Sequence, residues 1–546
     1  MGLTGVFSLV LHGHIPYVRM RYFRGEAWLH EALLFTYLPL LQTLYTLQED
    51  NVNTHVTLSF SPVLLEQLAD PDLIARFDAF LDQRIAAAES DIAYYGGDAF
   101  NEHLRYLAAV QRDAFNEARA FWHERIDGSL IGALRLLQDA GRIEIACSAA
   151  THAYLPLLPE SAVQAQIRAG IAAYTRHFGR PPISFMLPEH AYLPGLENVL
   201  ARAGIGLFFV EGHAVRGGEP TGAATGDVFG GYGAVKRQYA ITDRFAADIR
   251  PNSTRDAYTV GSSRVVALAR SHSASYQVWG DVLGYPGDFD YRDFFRKAGT
   301  SRLNYWRVTA NNIADEQKDY YHPDWAGYKI DQHAEHFAHM VGDLLRNYQA
   351  KHNKRGIVMV SYPMELFGWR WHEGIDWIGA TLRQLAYNPE VRVATASEAV
   401  TLIPPVGALA LHESSWGAGG RHFNWNNTDN AWMWDEIRLC ADRMETLSVR
   451  YASTTDADTA ATLAQAAREC LLLQSGDWQL LIATGEARMY AITRFAQHVE
   501  RFDYFAEILE RGESAPAAAA EFYALDRVFP DIDPAWFAAP RKESDQ

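Results

Sequence analysis

The chain is poor in cysteine, with only Cys147, Cys440 and Cys470 among its 546 residues. They are odd in number, far apart and outside any CxxC or Cys/His cluster, which argues against a disulfide framework and a structural zinc site. No run of about 18 apolar residues is present, so no transmembrane helix and no membrane partner are expected. The N-terminus is apolar for only a few residues and has no basic stretch before them, so no secretion signal is expected and a cytoplasmic location is. Basic runs are missing too: 49 Lys+Arg against 66 Asp+Glu give a net charge of −17, a poor match for a phosphate backbone, so nucleic acid is not an expected partner. No GxGxxG follows an apolar run, and there is no Asp-Asp or His-x-x-x-His set. No cofactor and no metal are therefore expected.

What the chain does have is apolar and aromatic material, 48% hydrophobic and 12% aromatic, with 12 of its 14 Trp beyond residue 270. Indoles in that number serve as core or as platforms for a flat, weakly polar ligand such as carbohydrate. Short β-rich runs alternate with helical stretches: 6–11, 55–60, 143–147, 183–187, 207–210, 275–279, 357–360 and 391–394. That alternation predicts βα units and a parallel sheet. A polar residue follows most of the runs: His12 and His14, Ser59 and Ser61, His152, Glu189, Glu211 with His213, Asp281 and Glu365. Strand carboxyl ends converge on one mouth in a β/α barrel, which favours that fold; a doubly wound open sheet also gathers ligands there. Residues 72–137 read as a helical insertion, 217–274 as a long loop at the mouth, and the chain beyond about 430 as helix. The expected domains are a barrel over 1–405 and an α-helical domain over 406–546. The last residues, 540–546, are expected to fray.

His12-Gly13-His14 places two imidazoles on one face of a strand end, where they suit a metal or a polyol; a metal would have to recruit His152 and Glu189. Glu189 ends a very apolar run, and Glu365 ends another beside Trp369 and Trp371. Two carboxylates facing one mouth among aromatics are the minimum kit for glycosidic bond cleavage.

Four segments, His12-Gly13-His14-Ile15-Pro16-Tyr17, Ala150-Thr151-His152-Ala153-Tyr154-Leu155-Pro156, Leu187-Pro188-Glu189 and Glu365-Leu366-Phe367-Gly368, resemble in order and spacing the signature regions of family 57 glycoside hydrolases. The resemblance continues through Gly284-Tyr285-Pro286-Gly287-Asp288, Ser414-Ser415-Trp416-Gly417, Trp432-Met433-Trp434 and Gln474-Ser475-Gly476-Asp477-Trp478, closest to the 1,4-α-glucan branching enzymes of that family. It implies an α/β fold, a distorted (β/α)7 barrel with a helical insertion and a C-terminal α-helical domain, acting on α-1,4-glucan by double displacement to form α-1,6 branches. It places Glu189 at the nucleophile, His12, His14 and His152 at sugar-contacting histidines, and Trp279, Trp416, Trp425 and Asp477 along the glucan path. Nothing in it sets the oligomeric state.

Three positions depart from the family. Its fourth region carries an aspartate two residues before the glutamate as general acid, and here that position is Pro363. Proline has no proton to give, and general acid catalysis is worth about 10² to 10⁴ in rate. Glu365, the family's accompanying glutamate, is the candidate substitute; in an extended strand it would lie about 6.5 Å further along the chain. His190 and Met186 replace the usual neighbours of the nucleophile, and the His190 imidazole is a second candidate donor. The tyrosine-bearing loop of the family's branching enzymes matches only at the start of Tyr232 to Tyr239. The alternatives that follow are a glucan-binding relative without turnover, a 4-α-glucanotransferase or α-amylase of the same family, and, last, a metal-dependent polysaccharide deacetylase.

Overall fold

The computed structural model describes residues 2–19, 25–97, 99–217, 224–229, 236–241, 252–279, 284–417 and 420–538. Gly230 to Gly233, the first half of the Tyr232 to Tyr239 segment, Asp281 and the tail from 539 onward lie outside the described residues. The described strands are β1 (Gly5–Gly13), β2 (Val56–Phe60), β3 (Ile143–Ser148), β4 (Ser184–Met186), β5 (Leu207–Val210), β6 (Ala224–Phe229), β7 (Lys236–Ile241), β8 (Tyr258–Val260), β9 (Val266–Ala269), β10 (Gly356–Pro363), β11 (Val391–Val393) and β12 (Ala408–Leu409).

Seven of them, in the order β10-β1-β2-β3-β4-β5-β9, pair in parallel. The path does not close through a strand pair among the described residues. Instead the Ser271 N–H, just past β9, donates to the Met359 carbonyl of β10 at 2.8 Å. This is the distorted (β/α)7 barrel, with β8 and β12 extending one edge and β11 sharing an edge of β1 with β2. Alternation along the strands separates two apolar sets, as a closed sheet requires. Val6, Val10, Ala146, Met186, Leu207, Phe209, Leu268, Ile357 and Met359 fill the lumen. Phe7, Leu9, Leu11, Val358 and Val360 face the helices outside.

The lumen row of β1 continues upward from Val6 and Val10 to His12, and that of β10 from Ile357 and Met359 to Ser361 and Pro363. Register sets His12 against Ser59 of β2 on one side and against Pro363 of β10 on the other. A two-residue side-chain period thus delivers these side chains to the mouth.

Two sequence readings are corrected. Residues 275–279 are not a strand: they belong to the helix His272–Trp279, where Ala274, Ser275 and Val278 are buried at helical spacing while Tyr276 and Trp279 face out. The barrel strand expected there is β9, four residues inside the segment read as a loop. Between β2 and β3 the chain is helical over Pro71–Tyr95, Glu102–Ala120 and Leu130–Asp139. The first of these helices is started by Asp70, whose carboxylate accepts from the Asp72 and Leu73 N–H groups.

Beyond residue 431 come the helices Trp432–Arg450, Ala457–Leu473, Gly476–Thr484, Arg488–Glu510 and Pro516–Leu525. No helix among the described residues is long and apolar enough to cross a membrane. The helical region meets the barrel at several places, and one seam lies beside His152 at the mouth. Ala153 forms an isolated bridge with Ser475. Thr151 Oγ1 donates to the Leu471 carbonyl at 3.0 Å, and Gln166 Nε2 to Gln474 Oε1 at 3.1 Å. The approach is close enough to require glycine at 476, where a Cβ would stand 2.9 Å from the His152 carbonyl oxygen. Gly476→Ala is therefore expected to lower stability by about 1–3 kcal/mol through overpacking. Denaturant unfolding of the full chain measures this, and an unchanged midpoint would show that the seam can shift freely.

Candidate active site

Two backbone turns aim the site, one after β3 and one after β4. His152, Glu189 and His190 all have positive φ, 53°, 58° and 49°. For residues with a Cβ this costs of order 1–3 kcal/mol each, and persists only where the surroundings fix it. Here the Glu189 carbonyl accepts from the Trp416 N–H at 2.8 Å, and His152 is held by the Gly476 seam.

The imidazoles of His12, His14 and His152 stack. The His14 and His152 rings are 3.9 Å apart and 13° from parallel, and the His12 and His152 rings 5.0 Å and 17°. All six ring nitrogens have protein partners. His12 meets Ser59 Oγ at 3.1 Å and His152 Nδ1 at 3.2 Å. His14 meets Ser61 Oγ at 2.7 Å and Asp477 Oδ1 at 2.8 Å. His152 Nε2 meets Glu189 Oε1 at 3.1 Å. Burial and the neighbouring imidazoles hold His12 well below the ordinary histidine range, and lower His152 in the same way. A second positive charge in the stack would have no water to relax it. Asp477 is buried, yet His14 and Ser475 keep its carboxyl below the usual range.

Glu365 is buried on the other element of the mouth. β10 ends at Pro363, and Met364–Leu366 form a single 3₁₀ turn. A turn of that kind rises about 2 Å per residue, so Glu365 advances about 4 Å from Pro363 rather than the 6.5 Å of an extended strand. Its Oε1 accepts from the His14 N–H at 2.8 Å and from the Tyr37 hydroxyl. Burial pushes its carboxyl up to about 7 in spite of those two donors. The two carboxylates are thus joined through the same stack, Glu189 through the His152 ring and Glu365 through the His14 backbone.

His190 has a different place. It is fully buried, stacked on Trp416 at 4.5 Å, with Nε2 on Ser361 Oγ at 2.9 Å. Burial drives it down to about 4, so near neutrality it is the neutral imidazole and lacks the imidazolium proton that a general acid gives up. Trp416 arrives on a segment bridged to Tyr192 through Ser414, with the Arg270 guanidinium over its ring. Arg270 is itself clamped by both oxygens of Glu211 at 2.7 and 3.0 Å. Trp279 lies 6.2 Å from Trp416 and is 44% exposed, so these two indoles offer ring surface at the mouth. Trp425 does not: it is 2% exposed and stacked on Tyr154 at 4.2 Å.

The structure therefore gathers His12, His14, His152, Glu189, Glu365, Asp477, Trp279 and Trp416, and leaves Trp425 as backing. Reading residue types alone missed the roles of Ser59, Ser61 and Tyr37. The serines carry a signal, Ser-x-Ser at the carboxyl end of β2 opposite His-x-His at the carboxyl end of β1, whereas Tyr37 sits in a π-helical turn (Leu33–Tyr37) within no motif. The Asp477 carboxylate serves two donors in the interior. Asp477→Ala should cost about 3 kcal/mol or more. Because that carboxyl is depressed in the folded chain, the contribution is present above the ordinary aspartate range and is lost as the pH falls through the folded value. Unfolding across that range checks it: wild type and variant should converge at low pH, and a constant gap would assign the loss to packing.

Known proteins share this arrangement. The family model for glycosyl hydrolase family 57 matches residues 8–412, and that for the C-terminal region of 1,4-alpha-glucan branching enzyme matches 436–537. A 1,4-alpha-glucan branching enzyme of Thermococcus kodakarensis is 36% identical over 530 residues, 93% of this chain and 74% of that one. Its crystal structure superposes with a TM-score of 0.87 at 33% identity, covering 98% of this chain and 97% of that one. A probable 1,4-alpha-glucan branching enzyme of Mycobacterium tuberculosis is 30% identical over 562 residues, 97% of this chain and 98% of that one. The alpha-amylase AmyC of Thermotoga maritima gives a TM-score of 0.83 at 26% identity, with 98% and 99% covered. With the barrel, the strand-end Glu189 and a family match over most of the chain in agreement, the protein belongs to glycosyl hydrolase family 57.

Proposed function

We propose that this chain is a 1,4-α-glucan branching enzyme, cutting an α-1,4 bond with retention and passing the cut chain to a 6-hydroxyl of another glucan. The observation that carries the reading is the pairing of a retained nucleophile position, Glu189 on His152, with a buried carboxyl at the same mouth that accepts from His14 and Tyr37. The match of the C-terminal helices to the branching-enzyme model favours transfer over hydrolysis.

Glu189 attacks the anomeric carbon while Glu365 protonates the departing glycosidic oxygen. Glu365, then a base, takes the proton of the incoming hydroxyl as the glycosyl-enzyme bond breaks. A carboxyl lifted to about 7 by burial can do both near neutrality. Trp279 and Trp416 present ring faces to the glucan, and the three histidines with Asp477 form the floor beneath it. Trp425 supports that path from behind Tyr154. The barrel over 1–405 and the helices over 406–546 act as one unit, because the seam at Gly476 passes through the floor.

Pro363 favours a second reading, a glucan-binding relative without turnover, and one experiment separates the two. Amylose incubated with the protein is followed by proton NMR for α-1,6 linkages and reducing ends. Branches with few new reducing ends are expected, and Glu189→Gln should abolish both. Retention of amylose without either change would establish the binder. The rate should also fall as the pH rises through about 7, because the donor must be protonated. Glu373 is lifted to about 7 as well, but it accepts from the Arg292 N–H, away from the imidazole stack. Glu365→Gln distinguishes them: it should remove the alkaline limb and cost about 10² to 10⁴ in rate. A limb that survives in that variant rules Glu365 out as donor.

A further inference from the structure

The hydrogen bonds behind Glu189 have a direction that follows from proton counting. A carboxylate accepts only, so the His152 nitrogen facing Glu189, Nε2, must carry the hydrogen. With His152 neutral, its Nδ1 is then bare and must accept. The partner there is His12 Nε2 at 3.2 Å, so that nitrogen carries the hydrogen of His12. His12 Nδ1 is therefore bare as well, and its partner at 3.1 Å is the Ser59 hydroxyl, which can donate. The opposite direction would put a bare His152 Nε2 against the carboxylate, two electron pairs face to face in a buried site.

We propose that Ser59, His12 and His152 form a directed chain of hydrogen bonds that holds the His152 Nε2–H on Glu189, its direction set by that carboxylate, with Ser59 the positioning residue that anchors its far end. The proposal rests on Glu189 being the nucleophile. Ser59 touches no sugar; it acts through two rings. Its hydroxyl is fully buried, and backbone register alone sets it opposite His12. Protonating the chain is opposed chiefly by burial: His152 and His14 add like charge against His12, and although Glu189 and Asp477 favour charge on His152 they do not offset its burial and the His14 ring. The chain therefore stays neutral and its order is set by which nitrogens bear hydrogen. Ser61 and His14 repeat the arrangement on Asp477, two residues along both strands. On that second chain the carboxylate belongs to the C-terminal helices, so one mode of orientation serves the reacting group and its twin serves the seam.

What the chain does for the reaction is specific. A hydrogen held on Glu189 stabilises its ionised, attacking form and fixes which oxygen remains for the anomeric carbon. Without Ser59 the bare His12 Nδ1 loses its donor, and the His12 ring loses the bond that fixes its orientation against His152. The His152 Nε2–H is then held less firmly on Glu189.

The test uses the full chain with ¹⁵N-labelled histidine, whose ring shifts distinguish a bare nitrogen from one bearing hydrogen. In wild type, His12 and His152 are both expected as the Nε2–H form. Finding Nδ1–H on either one overturns the proposal whether or not the protein turns over glucan. Ser59→Ala is expected to shift the His12 Nδ1 resonance, which loses its hydrogen-bond donor, and to lower kcat about tenfold with little change in KM, the scale of one lost hydrogen bond. Ser59→Thr, which keeps the hydroxyl, is expected to restore both. A Ser59→Ala protein that folds and keeps the wild-type kcat refutes the role of Ser59. Failure of the nucleophile assignment reads out separately, as turnover that survives Glu189→Gln.

Discussion

Polar groups taken out of water must find partners, and at this barrel mouth the demand is concentrated in three stacked imidazoles. Their six ring nitrogens are met by two serines, one neighbouring ring, and the carboxylates of Glu189 and Asp477. Much else follows from that matching. β1 and β2 must keep a register that sets His12 on Ser59. The β3 end must turn through positive φ to bring His152 into the stack, and the β4 end must do so to bring Glu189 to it. The C-terminal helices must dock tightly enough to deliver Asp477, which is why glycine stands at 476.

The same mouth shows how a lost acid can be offset by backbone geometry. Pro363 ends the lumen row of β10, opposite His12, and has no hydrogen on its nitrogen to extend the ladder. The chain turns at once, and the turn brings Glu365 back toward β1 instead of carrying it onward. In that position its carboxyl is buried, and burial favours the protonated form near neutrality against the two donors, His14 and Tyr37, that favour the charge. His190 shows the reverse effect of burial, since an imidazole excluded from water gives up the proton it would need to donate.

The barrel, the insertion and the helical end were legible because they rest on strong periodicity, and the strand-end His12, His14, His152, Glu189 and Glu365 because they follow apolar runs. One barrel strand was not. β9 is only four residues long within a polar segment, whereas the apolar residues of 275–279, which suit a strand, are used by a helix. At the site, residue type pointed to histidines and carboxylates but not to how their nitrogens are used. Ser59 and Ser61 are ordinary strand-end serines until the register of β1 and β2 sets them against imidazoles. Trp425 was expected on the glucan path on resemblance alone, and its burial depends on Tyr154, 271 positions away in sequence.

The central claim is that Glu189 attacks while Glu365 supplies the proton, and the leaving group tests it most directly. An α-maltosyl fluoride needs little help to depart, whereas a glucan chain must be protonated. Wild type and Glu365→Gln compared on both substrates should show the variant releasing a first equivalent of fluoride at close to the wild-type rate and then slowing, because the glycosyl-enzyme lacks its base, while action on amylose is lost from the start. Loss of the fluoride burst together with action on amylose, or loss of neither, would contradict the account.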